Sequence, residues 1–87
     1  MNTLWKYAMP QSPGRLIMPI GAKVLDVQLQ GGQFMLWALV DADEDRTSLR
    51  TYVLYGTGER VPENPGRYLA TVQYGSEVWH AFELMDR

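Results

Sequence analysis

The sequence predicts an all-β domain: a compact antiparallel sandwich or small barrel of about seven short strands, with little or no helix. Three observations carry that expectation. Runs of aliphatic, aromatic and β-branched residues recur with a period of two, and glycine- or proline-rich turn signals separate them. No stretch of about ten to twelve residues shows a helical period or paired caps. Two adjacent glycines, Gly31-Gly32, stand between two β-like runs. Both central positions of a type I′ hairpin turn need φ > 0, which glycine adopts without steric cost.

Taken in order, Leu4 to Met9 opens the fold, with Trp5, Tyr7 and Met9 on one strand face and Leu4, Lys6 and Ala8 on the other. Pro10 to Gly14 breaks that strand, and Arg15 to Met18 is expected to be a short partner for it. Pro19 cannot donate to a ladder and ends the run. In the first arm of the central hairpin, Leu25, Val27 and Leu29 alternate with Asp26, Gln28 and Gln30, so one face should be buried and one wet. The second arm is apolar on both faces. Phe34, Leu36, Ala38 and Val40 fill one side, and Met35, Trp37 and Leu39 the other. Such a strand is either central in two layers or covered by a partner chain. Asp41 to Ser48 is the charge-dense loop. Leu49 to Tyr55 is a strand of strong β formers, and Gly56 to Gly66 is the longest irregular stretch. Arg67 to Tyr74 alternates again, with Tyr68, Ala70, Val72 and Tyr74 on one face, and Gly75-Ser76 turns it into Val78 to Leu84.

Composition narrows the function classes. Eighty-seven residues make one domain, 1–87, with a modest core. Eight Lys+Arg stand against ten Asp+Glu, so a phosphate-backbone interface is not expected and nucleic acid is an unlikely partner. The absence of cysteine excludes disulfides, zinc-cysteine sites and thiol catalysis, and fits a reducing cytoplasm. No signal peptide or membrane span is expected: Met1 to Met18 lacks an apolar h-region, and Phe34–Val40 is too short to cross a bilayer.

Few residues invite a chemical role. Asp41-Ala-Asp43-Glu-Asp45 opens like a calcium loop, but Arg46 stands where glycine is needed and Tyr52 where the bidentate Glu belongs. No metal site and no cofactor are expected. Gly56-Thr-Gly58 follows a strand without the Lys-Ser/Thr of a P-loop. Its backbone N–H groups, with Arg60 nearby, form a candidate anion nest. His80, the single histidine, shares its strand face with Val78, Phe82 and Leu84 and has no nucleophile-elbow motif to serve. No catalytic residue is assigned. The candidate ligand- or partner-binding residues are Trp37, Tyr55, Gly56, Gly58, Arg60, Trp79 and His80, because aromatic residues and arginine anchor interfaces.

The order Trp5-Lys6-Tyr7, Met18 to Gln28, Leu36 to Asp41, Tyr55 to Gly58 and His80 to Glu83 resembles a family of small phage and prophage proteins of unknown function. The resemblance spans nearly the whole chain. It implies a phage origin and action inside a bacterial host, and it brings no activity, catalytic residue or cofactor. The expectation is a non-enzymatic binding protein in the host cytoplasm, occupying a host protein or a small anionic signalling ligand, with a counter-defence role as one example. A minor virion or assembly component is the alternative, and a small enzyme using His80 with Arg60 and Glu59 or Glu83 is a third. Self-association into a dimer or higher oligomer through the two-sided apolar strand suits the first two.

Overall fold

The computed structural model describes residues 1–84. Seven strands follow in the chain: β1 (Asn2–Ala8), β2 (Gly14–Pro19), β3 (Lys23–Gln30), β4 (Gln33–Asp41), β5 (Thr47–Gly56), β6 (Arg67–Tyr74) and β7 (Glu77–Leu84). Among the described residues there is no helix. Every ladder is antiparallel, and the strands form two sheets, ordered β1-β4-β3 and β2-β5-β7-β6. The Cα trace measures 41 × 33 × 17 Å, and its thin axis fits two stacked sheets about 10 Å apart with their twist.

Local chemistry sets both tight hairpins. Gly31 and Gly32 have φ of 58° and 79°, as a type I′ turn between β3 and β4 requires. Gly75 has φ of 61° and closes the β6–β7 turn, where Tyr74 pairs with Glu77. The core lies between the sheets. Leu36, Ala38 and Val40 of β4 and Val27 of β3 meet Met18, Tyr52, Ala70, Val72 and Ala81 from the other layer. Burying a side chain such as Leu36 or Val27 contributes about 1.5–3 kcal/mol.

Two expected faces are corrected by β-bulges. In β3 the register shifts between Val24 and Asp26. Val24 therefore packs inward and Leu25, expected in the core, is 48% exposed. In β6 the shift falls between Tyr68 and Ala70. Leu69 packs on the core, and Tyr68, expected to share a face with Ala70, turns to the opposite side and is 56% exposed. An extra residue in one strand inverts the alternation beyond it. The two bulged strands are the ones that approach each other where the sheets close, β3 against β6.

The short run after the first turn is also reassigned. It was expected to pair with the first strand, whereas β2 pairs with β5 in the opposite sheet. The intervening turn carries the chain across the sandwich rather than back along one sheet. Buried Met9 marks the crossing point. Just before β2 begins, the Ser12 hydroxyl accepts a hydrogen bond from Leu54 N–H at 2.8 Å, extending the pairing along β5 with a side chain.

A charged pair is enclosed in the second sheet. Arg50 Nε donates to Glu83 Oε2 at 2.7 Å and its Nη2 to Oε1 at 2.9 Å, while Nη1 donates to the Ala22 carbonyl. Glu83 is 6% exposed. Gly66, with φ of 100°, lies directly against the Glu83 backbone carbonyl. Tyr52 is buried beside this pair, and its hydroxyl donates to Met18 Sδ at 3.3 Å. Burial is the main cause that pushes the Tyr52 phenol up to about 12; Arg50 opposes the rise, and Glu83 and Tyr7 add to it. Below the ordinary tyrosine value of about 10, both folded and unfolded states keep the proton. Between about 10 and 12 only the unfolded state loses it, so stability should fall by roughly 2–3 kcal/mol across that window. Alkaline denaturation of Tyr52→Phe should lack that fall, and an unchanged profile would contradict the assignment.

Candidate functional site

The longest loop leaves the end of β5 and the β6–β7 turn lies beside it. Between them is a groove of about 490 Å³, lined by Gly56, Thr57 and Glu59 on one side and by Glu77, Val78 and Trp79 on the other. Gly56 and Trp79 are cross-strand partners in the β5–β7 ladder. A Cβ at Gly56 would stand 3.5 Å from the Trp79 ring and 3.1 Å from Glu59 Oε1. Glycine here lets the indole lie close to the backbone.

The loop is held by its own hydrogen bonds. Gly56 N–H donates to Glu59 Oε1 at 2.9 Å, Glu59 N–H donates to the Gly56 carbonyl at 3.0 Å, and Thr57 N–H donates to the Val78 carbonyl at 2.9 Å. The expected anion nest therefore has no free Gly56 or Thr57 N–H to offer. The Glu59 carboxylate already occupies the place an anion would take. A second carboxylate, Glu77, accepts from Trp79 Nε1 at 3.4 Å. Two acidic groups beside a half-buried indole favour a cation. Gly58, with φ of 94°, shapes the turn and lines no wall of the groove. Arg60 makes no hydrogen bond or ion pair among the described residues.

His80 and Tyr55 are cross-strand partners on the outer face of the second sheet. The imidazole sits in a chain of hydroxyls. Tyr68 Oη and Thr71 Oγ1 are 2.7 Å apart, Thr71 Oγ1 and His80 Nδ1 3.0 Å, and His80 Nε2 and Thr57 Oγ1 2.9 Å. The Thr57 hydroxyl in turn donates to the Val78 carbonyl at 3.2 Å. A neutral imidazole protonated on Nε2 satisfies every step: Nε2–H donates to Thr57, Thr71 donates to Nδ1, and Tyr68 donates to Thr71. Among the described residues, no carboxylate joins this chain. Glu83, three residues along the same strand, faces inward to Arg50, and Glu59 is bonded to Gly56. Among the described residues, no hydrogen bond joins His80 to Arg60, Glu59 or Glu83; its ring nitrogens meet Thr57 and Thr71.

Around His80 the outer face is aromatic. Phe82 meets Tyr55 edge-on at 5.9 Å and Tyr68 at 5.7 Å between ring centroids. Trp37 is not part of this region. It lies on the outer face of the other sheet, in a row with Met35 and Leu39, opposite Lys6 and Asp26 in its two ladders. Among the described residues, neither the terminal strands nor the second sheet buries that row fully. The Lys6 side chain reaches across β4 to bond Gln30 Oε1 at 2.9 Å, leaving the three half-buried.

Sequence reasoning thus found both partners of the Gly56–Trp79 contact and of the Tyr55–His80 contact. It missed Glu77 as a wall of the groove and Thr57, Thr71 and Tyr68 as partners of His80. Cross-strand register brings these together, and only Glu77 had a local signal, its place two residues before Trp79 on one strand face. Among the described residues, no group of three acidic, histidine or cysteine side chains could hold a metal ion. A family model described as a domain of unknown function (DUF7352) matches residues 1–87. No curated protein and no solved structure matches the chain.

Proposed function

The chain belongs to the DUF7352 family, a domain of unknown function, and we propose that this protein is a binding protein rather than a catalyst. It is encoded by a phage or prophage and acts in the host cytoplasm on a host protein. The groove beside Trp79 receives a basic side chain of that partner, arginine or lysine. The observation that carries this reading is the pairing of Glu59 and Glu77 with the Trp79 indole in one groove of about 490 Å³. A guanidinium there would meet a ring it can stack on and carboxylates it can pair with, each worth about 0.5–2 kcal/mol. The phage origin and the host setting draw their support from the order of sequence motifs alone. The hydroxyl-bonded His80 and the aromatic face around it suit a contact surface, with tyrosines at its rim.

The test uses the indole N–H signals of the three tryptophans in an NMR titration. N-acetyl-argininamide at millimolar concentration should move the Trp79 signal and leave Trp37 in place, while inorganic phosphate should move neither. Glu77→Gln should weaken the response by roughly 2–5-fold. A Trp79 response to phosphate, or none to argininamide, would overturn the cationic assignment.

A further inference from the structure

We propose that the exposed edge of β1 pairs with the same strand of a second copy, in antiparallel register about Trp5, joining two three-stranded sheets into one six-stranded sheet. The inference rests on which backbone groups of β1 are unpaired. Ala42 N–H donates to the Met1 carbonyl and Met9 N–H to the Phe34 carbonyl. In the β1–β4 ladder these are opposed positions, and hydrogen-bonded pairs alternate along an antiparallel ladder. Met1, Thr3, Trp5, Tyr7 and Met9 therefore direct their N–H and C=O groups at β4. Asn2, Leu4, Lys6 and Ala8 direct theirs away from the sheet. No described residue bonds to those outward groups.

The side chains along this edge are those of a surface awaiting cover. Leu4 is 63% exposed and Trp5 40% exposed, although Trp5 faces the same side as buried Ala38 opposite it. A lysine often protects an edge by its charge. Here the Lys6 ammonium is drawn back across β4 to Gln30 and leaves the edge open. The other sheet ends differently. By the same alternation, anchored by Ile20 N–H donating to the Arg46 carbonyl, the outward positions of β2 are Arg15, Ile17 and Pro19. Pro19 has no N–H to give, so that edge is blocked where β1 is not.

Self-pairing is the occupant this strand fits. With Trp5 opposite Trp5 of the second copy, Leu4 faces Lys6 and Asn2 faces Ala8 in both directions, so all the outward groups of both copies find partners. The two indoles meet in a non-hydrogen-bonded pair, where side chains come closest and aromatic pairs stabilise. A shift of one hydrogen-bonded position towards the end of the strand would set Lys6 against Lys6. A shift the other way would leave Ala8 unpaired.

The chain has no cysteine, so single introduced thiols report the register directly. Light scattering at about 0.1–1 mM should find a dimer. Trp5→Cys should oxidise to a covalent dimer, and a mixture of Asn2→Cys with Ala8→Cys should cross-link through a short bis-maleimide while neither variant does so alone, since each is then offset from its own copy by six residues, about 20 Å. Leu4→Pro should yield a folded monomer, because Leu4 N–H makes no bond to β4; cooperative thermal unfolding separates loss of pairing from loss of fold. A monomer throughout, a dimer insensitive to Leu4→Pro, or Asn2→Cys cross-linking with itself would overturn the proposal.

Discussion

Glu83→Ala is expected to lower the unfolding free energy by about 3–5 kcal/mol, because it leaves the Arg50 guanidinium enclosed without its carboxylate. Arg50 and Glu83 side chains are 16% and 8% exposed, and two parallel hydrogen bonds join them. The pair sits across the β5–β7 ladder, and Arg50 also ties Ala22, just before β3, to the second sheet. Domains of this size have in total on the order of 5–10 kcal/mol of stability. The single variant should therefore show most of its unfolding transition moved to low urea. The double variant Arg50→Met, Glu83→Leu should recover much of the loss, since apolar replacement removes both desolvated charges together. Urea denaturation of the two variants beside the unmodified protein checks this. A loss below about 1 kcal/mol for Glu83→Ala would mean that water reaches Arg50 readily in the folded state.

Gly66→Ala should come close to that effect by a different route, at roughly 2–4 kcal/mol. Its φ of 100° is unfavourable for any L side chain, and an added Cβ would run into the Glu83 carbonyl group, which is backbone and cannot turn aside. Gly58 supplies the control. It has φ of 94°, but nothing lies within 4 Å of its would-be Cβ. Gly58→Ala should lose only the conformational part, about 1 kcal/mol. Thermal melts of the two variants separate strain from collision. Equal shifts would show that the contact of Gly66 with β7 contributes nothing.

Much of the fold was legible because turn chemistry and period-two patterning are local. Gly31-Gly32 placed a hairpin, and Leu36, Ala38 and Val40 named the buried side of its second arm. The errors arose where local signals are silent. Nothing in Val24-Leu25-Asp26 or Tyr68-Leu69-Ala70 marks a bulge, and one unpaired residue reversed the faces beyond it. The partner of β2 was misjudged because a proline-rich turn fits a hairpin as well as a crossing between layers. At the candidate site, Gly56 and Trp79 were found by residue type, but the acidic character of the groove was not. It depended on Glu59 folding back onto the Gly56 N–H, a contact that glycine content cannot reveal. The clasp at the amino terminus was likewise hidden. The Met1 ammonium bonds Asp43 and Asp41 at 2.8 and 2.9 Å. Those bonds raise the ammonium's proton affinity and hold the Asp41 carboxyl below its usual range.

The division of the chain between the two sheets also orders the cost of assembling it. β3 with β4, and β6 with β7, close loops of two residues, Gly31-Gly32 and Gly75-Ser76. The β1–β4, β2–β5 and β5–β7 ladders must each close a far longer stretch, and closure entropy has to be lost before such contacts reward it. The two hairpins belong to different sheets, yet they touch through β3 and β6. Their meeting would build one side of both layers from the cheapest pieces of chain. The bulges at Leu25 and Leu69 lie in those same two strands. They tighten the twist where the first encounter between the layers is made, and the remaining strands are added to a seam already bent to receive them.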